Sequence, residues 1–281
     1  MPKTIVTHIN PDQDALSSVW LIKKYHPEYY RDDVEYAFVP AGKTLHGAPP
    51  DDRTDVIHVD TGLGMFDHHH IPEKISAFHQ IYQYGLKHEW FPIYDIAALA
   101  RMDAVITAYD NFQEVYYPHP TADYFDFTLD SALSGLVHTQ MPDAKKVEIT
   151  RPLFDAVLQV VKNKIKAEQN IKEGDIFETK AFGRAIAMEN SNNDSMKFAQ
   201  KSGFRLVARK DPEKGNIRVV CVPDDTLDLT PVRDAITSED QKGTWFLHQS
   251  KHMLLNGSLV NPTMVPSPMS FKRLVEILRS F

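Results

Sequence analysis

The segment HINPDQDALSS, from His8 to Ser18, sets a histidine and two aspartates, Asp12 and Asp14, within seven positions and then enters an apolar run. The Asn-Pro turn after His8 breaks the preceding strand, so these side chains splay over its end and can face one point. Asp12 and Asp14 also suit a turn and a helix N-cap, and the stretch alone does not separate capping from metal binding. A second cluster, VIHVDTGLGMFDHHH, adds Asp60 at another strand end, then Asp67, His68, His69 and His70. Three consecutive histidines after an aspartate are hard to explain by packing. Imidazole and carboxylate ligands without cysteine favour Mn²⁺, with Mg²⁺ also accommodated, over a structural zinc site. Two such ions sharing a carboxylate, ~3.5 to 4 Å apart, form a recurrent machine for phosphoester hydrolysis. His8, Asp12, Asp14, Asp60 and His68 supply five ligands, and one more carboxylate would complete a pair.

These residues must be placed by the elements around them. TIVTH reads as a buried strand, ALSSVWLIKKY as a helix, VEYAFVP as a strand, and DVIHVDTG as a strand ending in a Thr-Gly turn. This alternation predicts an α/β fold: a parallel-sheet N-terminal domain with helices on both faces, its acidic groups at the strand C-termini where such sheets bind ligands. Helical patterns follow at about 94 to 112, at 123 to 139 and at 152 to 172, the last with Pro152 as a first-turn residue. After Gly174, short β-branched runs between polar turns predict antiparallel strands of a smaller α+β domain, closed by a helix from about 270 capped by Ser270. The expected organisation is a metal-binding catalytic domain over 1–150, a connecting helix over 151–175 and a substrate-binding domain over 176–281, with substrate in the cleft between lobes.

Composition excludes several classes. The 281 residues are 42% hydrophobic and 10% aromatic, enough for sizeable cores and far from the composition of disorder. The single cysteine, Cys221, can form neither an internal disulfide nor a thiolate metal site, and its expected role is packing in a reducing compartment. MPKTIVTHINPD reaches polar and charged groups too soon for a signal peptide, and no apolar run approaches a membrane span, so a soluble, cytoplasmic protein with no membrane partner is expected. A net charge of −7 argues against a broad grip on duplex nucleic acid. The sequence contains no GxxxxGK[ST], GxGxxG after a strand, GxSxG or HExxH signature.

Taken together, HINPDQDA, the aspartate of HVDTG and the tripeptide DHH resemble, in order and spacing, the DHH phosphoesterase superfamily, which includes RecJ-type exonucleases, oligoribonucleases and the manganese family of inorganic pyrophosphatases. Within it the chain is most similar to the MYG1 family, regarded as metal-dependent exonuclease-like hydrolases. DAVITAYDNF resembles that family's Asp-Asn-Gly region, NIRVVCVP a strand of its second lobe and TWFLHQSKHMLLNGS its C-terminal segment. The resemblance implies a DHH-type catalytic domain with two divalent ions. His8 and Asp12 match the residues that hold the first ion, Asp14 and His68 those that hold the second, and Asp60 the bridging carboxylate. Asp67 matches a supporting aspartate that orients a histidine, and His69 a residue facing the scissile phosphate as general acid or charge stabiliser. His70 extends past the motif. The fourth-motif ligand that the resemblance implies is Asp110, or Asp103 seven residues earlier on the same helical face, and Phe112 stands where the MYG1 family has glycine.

In many DHH proteins the second lobe meets phosphate through a glycine-rich stretch, and NGSLVNPT, with Asn256, Gly257 and Ser258, is the nearest equivalent here, although an ordinary turn explains it equally. His248, with His252 nearby, and the arginines Arg184, Arg205 and Arg209 are further candidates for contacting substrate. The expected function is hydrolysis of short single-stranded RNA or DNA from an end. The alternatives are a small phosphoanhydride or nucleotide as substrate, or a non-catalytic binding protein of the same fold. A homodimer is compatible with all of these.

Overall fold

The computed structural model describes residues 2–30, 33–257, 261 and 263–281. The chain divides into two compact units, one up to Lys162 and one from Asn163 onward. The first is built on a three-stranded parallel sheet of β1 (Thr4–His8), β2 (Glu35–Val39) and β3 (Val56–His58), in the order β2-β1-β3. Ile5, Val6 and Thr7 of the central strand are buried, as an apolar β-branched run in a parallel sheet requires. All three strands run the same way, so the ends of β1 and β3 carrying the two motifs lie at one edge.

Helix α1 (Gln13–Tyr25) starts on the N-cap Asp12 and is buried from Asp14 to Lys23, with Trp20 at its heart. Two further helices, α2 (Ala77–Lys87) and α3 (Ile93–Asp110), follow β3. The sequence reading placed no helix at α2. Its buried face, Ala77, Phe78, Ile81, Tyr82 and Gly85, repeats with helical spacing, and Ser76 caps it by accepting from the His79 N–H. The pattern expected over 123–139 is instead one turn of 3₁₀ helix at Asp123–Phe125, the short helix α4 (Leu129–Gly135) and a second 3₁₀ turn at Leu136–Thr139.

The long helix α5 (Asp143–Glu173) begins about nine residues before the expected start, so Pro152 is an interior residue and not a first-turn one. The ring removes the hydrogen bond to the Glu148 carbonyl, a cost a 31-residue helix absorbs by packing Val147, Phe154, Leu158 and Ala167 into the core. The boundary between units falls within α5.

The second unit holds β4 (Asp175–Thr179), β5 (Gly183–Glu189), α6 (Asp194–Lys201), β6 (Leu206–Lys210), β7 (Ile217–Cys221), α7 (Thr230–Glu239), β8 (Phe246–Leu247), β9 (Met253–Asn256) and α8 (Phe271–Arg279). Its sheet, β4-β5-β6-β7-β9-β8, is mixed, not antiparallel throughout: α6 forms a crossover, so β5 and β6 pair in parallel. One face of the sheet packs on residues of α7 and α8, among them Val232, Ile236, Leu274 and Leu278, and the other on Met196 and Ala199 of α6. Cys221 lies in the first of these cores, its thiol pushed up to about 11 by burial. Ser270 caps α8 through the Arg273 N–H, as the sequence indicates. No helix among the described residues is long and apolar enough to cross a membrane.

Candidate metal centre

His8 is the last residue of β1, and the chain then turns through Asn10, whose φ of 53° is left-handed, and Pro11 to reach Asp12. Asp12 does two things at once. Its Oδ1 caps α1 by accepting from the Ala15 N–H at 3.0 Å, while Oδ2 lies 3.8 Å from His8 Nε2. The turn is strapped from outside: the Asn10 N–H donates to Asp143 Oδ2 at 3.0 Å, and the buried Lys146 ammonium bridges Asn10 Oδ1 (3.0 Å) and Asp143 Oδ1 (2.8 Å). These partners at the start of α5 are more than 130 residues away, and sequence reasoning missed them. The only local signal is an Asp and a Lys three apart in the first turn of a helix.

Asp14 sits in the first turn of α1, fully buried. Its two oxygens accept from the Ala77 N–H at 2.7 Å and the Phe78 N–H at 2.9 Å, so it is anchored on the positive end of α2.

The second motif leaves the sheet at His58, and two residues later Asp60 adopts a left-handed φ of 53°. The backbone doubles back, with the Asp60 N–H donating to the Phe66 carbonyl at 2.8 Å and Gly62 turning at φ +86°. The loop closes on Asp67, whose Oδ2 accepts from the Leu63 N–H at 2.7 Å. Asp67 Oδ1 receives the His69 N–H at 3.1 Å and pairs with His69 Nδ1 at 2.6 Å, which fixes that ring and leaves its other nitrogen free of this bond.

These local turns bring the motifs together at the sheet edge. Asp60 Oδ2 is 3.3 Å from His8 Nε2, while Asp60 Oδ1 is 3.7 Å from both His68 Nδ1 and His69 Nδ1. The same Nδ1 of His68 faces Asp14 Oδ2 at 3.7 Å, and on the other side of the ring Nε2 faces Asp110 Oδ2 at 3.3 Å. Three overlapping groups result: His8, Asp12 and Asp60; Asp14, His68 and Asp110; and Asp60, His68 and His69. His70 belongs to none of them.

Asp103 and Asp110, both on α3, are separated by the structure. Asp110 ends the helix and joins His68 and Asp14. Asp103 instead accepts from Thr107 at 3.2 Å and pairs with His79 Nδ1 at 2.8 Å, and Thr107 in turn meets the cap residue Ser76 at 3.0 Å. It therefore anchors the start of the helix whose N–H groups hold Asp14. Asp110→Asn is expected to lose one bound divalent ion by calorimetric titration. Asp103→Asn should keep the ion stoichiometry and lower stability by about 1–3 kcal/mol, the cost of unsatisfying a buried network. An Asp103→Asn protein that binds one ion fewer would reverse the two roles.

The electrostatics describe a site short of positive charge. Burial pushes Asp14 well above the usual carboxylate range, and the charges of Asp60 and Asp110 add to this against the bonds from Phe78 and Ala77. Burial likewise raises Asp60, and it raises Asp110 to about 7 with help from Asp60 and Asp12. Desolvation alone would lower His8, but the Asp60 hydrogen bond, the Ile9 carbonyl and the Asp12 charge outweigh it and push the ring up to about 9. His68 is lowered by burial. His69 is raised: its desolvation is overcome by Asp67, Asp60 and Asp110.

Divalent cations fit this set of donors. Asp60 Oδ1 and His68 Nδ1 are buried without a hydrogen-bond partner although they face each other, an arrangement costly unless a shared cation satisfies both. If His8, Asp12 and Asp60 hold one ion, the Asn10–Asp143–Lys146 strap sets where His8 and Asp12 point. Lys146→Met and Asn10→Gly are then each expected to weaken that ion by about 10- to 100-fold, the usual cost of losing an outer support, and to change the other ion less. Asn10 is exposed and glycine accepts its φ, so the second variant tests the strap without disturbing the core. Two ions at unchanged affinity in both variants would rule the strap out.

The candidates of the second unit are differently employed. Asn256 is fully buried and brackets three loop segments, donating to the Thr244 and Val265 carbonyls at 2.9 Å each and accepting from the Ser267 N–H at 2.6 Å. Both hydrogens of its side-chain amide are engaged within the loop, so this side chain holds the loop that carries Gly257. Gly257 has φ +88° and packs against Asn216, a turn only glycine enters without strain. Ser258 lies outside the described residues. His248 is exposed in the β8–β9 turn and pairs with Ser250, and His252 faces the Asp224 carbonyl. Arg205 pairs with Asp224, and Arg184 stacks on Phe204. Arg209 is buried against Asn190, Asn193 and Asp211.

No protein-family model and no curated protein matches the chain. Among solved structures, a Methanococcus jannaschii protein assigned as a family II inorganic pyrophosphatase is similar at 15% identity over 98% of each chain, with a TM-score of 0.22, at which no shared fold follows.

Proposed function

We propose that this protein is a phosphohydrolase dependent on two divalent metal ions, Mn²⁺ preferred and Mg²⁺ accepted, that acts on short single-stranded RNA or DNA from an end. The observation that carries the reading is Asp60. One of its oxygens faces His8, which groups with Asp12, and the other faces His68, which groups with Asp14 and Asp110, as a carboxylate shared by two ions requires. His8, Asp12 and Asp60 would hold one ion, and Asp14, His68, Asp110 and Asp60 the other. When bound, such a pair supplies a water acidic enough to attack phosphorus near neutral pH and stabilises charge on the phosphoryl oxygens.

The chain's own groups provide the rest. The left-handed turn at Asp60 and the α2 N-terminus hold two carboxylates at fixed positions before substrate arrives, so little reorganisation is needed in the reaction. Asp67 holds His69 through Nδ1 and keeps the ring protonated to a higher pH than usual, while 58% of the side chain stays exposed. From there Nε2 can donate a proton to a leaving oxygen or a hydrogen bond to a non-bridging one. Small phosphoanhydrides such as pyrophosphate are the second reading, favoured by the net charge of −7, which gives no broad attraction for a polyanion.

The test is hydrolysis of a 5′-labelled short RNA, the matching DNA and pyrophosphate, each with Mn²⁺, Mg²⁺ or chelator. Metal-dependent shortening of the oligonucleotides is the expected result. Turnover of pyrophosphate alone moves the protein to the second reading, and no turnover of any substrate with metal bound overturns both.

A further inference from the structure

In the second unit, the registers of β5, β6, β7 and β9 set Met188, Arg209, Arg218 and Leu255 in one row across the sheet. This is the face on which Ile186, Met188 and Val207 pack against α6. Arg209 and Arg218 are direct partners on antiparallel strands, so their side chains leave the same face with Cβ atoms about 4.5–5.5 Å apart. Two cations in that relation repel each other, and nothing in the packing of an apolar face calls for them.

Their surroundings compensate only one. Arg209 is 6% exposed, and its two terminal nitrogens reach the Asn190 carbonyl at 2.6 Å, Asn193 Oδ1 at 2.8 Å and Asp211 Oδ2 at 3.5 Å. Its Nε is buried with no partner. Arg218 is partly buried and, among the described residues, its side chain makes no hydrogen bond and no ion pair. Burial lowers its pKa with no carboxylate to oppose the shift. Asp211 is also held in its own turn by the Glu213 and Lys214 N–H groups, both at 3.0 Å, so it stays with Arg209.

A partly desolvated guanidinium without a counter-charge, beside a second guanidinium with an unused buried N–H, is a fork suited to an oxyanion. We propose that Arg218, together with Nε of Arg209, forms a binding site for a phosphate group. Tetrahedral phosphate offers enough oxygens to take the free N–H groups of both side chains, and its charge offsets the repulsion between them. The group can come from free phosphate or pyrophosphate, or from a nucleic-acid backbone.

The full chain in chelator, without divalent metal, separates this site from the metal centre. Thermal unfolding and calorimetry are run with phosphate, pyrophosphate and a short oligothymidylate, against chloride at equal ionic strength, for wild type, Arg218→Met and Arg218→Lys. Without added anion, Arg218→Met is expected to melt no lower than wild type, because it removes like-charge repulsion. Wild type should bind at least one of the phosphate probes, with Arg218→Met at least tenfold weaker and Arg218→Lys in between. Binding of phosphate or pyrophosphate identifies the free anion as the source, and binding of the oligonucleotide alone identifies a backbone. Equal binding by wild type and Arg218→Met, equal stabilisation by chloride, or no response of wild type to any probe overturns the site.

Discussion

Asp60→Asn is expected to reduce metal-dependent hydrolysis by on the order of 10³-fold, the scale of loss when one preorganised charge-stabilising group is removed. Asparagine is the informative replacement. It is nearly isosteric and tolerates the left-handed φ of 53° better than alanine, so backbone strain is not added to the loss of charge. In chelator the variant should melt close to or above wild type, because the carboxylate is buried among the charges of Asp12, Asp14 and Asp110. Activity assays and thermal melts on one preparation check both halves. Full activity would remove Asp60 from its shared position, and a fall in melting temperature of many degrees in chelator would make the residue structural.

The second large effect links metal, pH and stability. Asp110 is held at about 7 and His8 at about 9 in the folded chain, both above their ordinary values. Each binds its proton more tightly folded than unfolded. The stability from His8 is complete below its unfolded value and is lost as pH rises through 9; for Asp110 the loss is complete just above 7. Both shifts therefore work in one direction, and the metal-free protein should melt progressively lower between pH 6.5 and 9. Bound cations replace those protons. Free Mn²⁺ at 100 times its dissociation constant adds about 2.7 kcal/mol per site, so the metal-induced rise in melting temperature should be larger at pH 8.5 than at pH 6.5. Melts at the two pH values with Mn²⁺ and with chelator decide it. A metal-induced rise that is equal at both, or larger at pH 6.5, would mean that the clustered carboxylates and His8 do not bind the ion.

Much of the N-terminal half can be read without coordinates because its signals are local. Four or five β-branched and apolar residues make β1 and β2, an Asn-Pro step ends a strand, and Asp12 caps the helix that follows. Such features depend on neighbours within a few residues, and they place His8, Asp12, Asp60 and His68 at strand ends and in turns. Periodicity also foretold α3 and, in its later part, α5. It did not find α2, whose short amphipathic pattern lies between two turns, nor the true start of α5. The loop role of Asn256 was not legible for a different reason: a polar residue beside a glycine looks the same whatever its side chain meets, and only the structure supplies its three backbone partners.

The residue types able to hold ions, their order along the chain and the strand ends that present them are written in the sequence itself, since turn chemistry and β-propensity act at short range. Which carboxylate turns inward was decided by the tertiary structure alone. Asp14 is held by helix N–H groups 63 and 64 residues away, Asn10 by Asp143 and Lys146 from the start of α5, and Asp110 is separated from Asp103 because it meets His68 in the loop before α2 while Asp103 meets His79 on α2. These long-range contacts set the direction of a few short side chains, and at distances of 3 to 4 Å that direction is what makes a candidate metal centre out of a set of acidic turns.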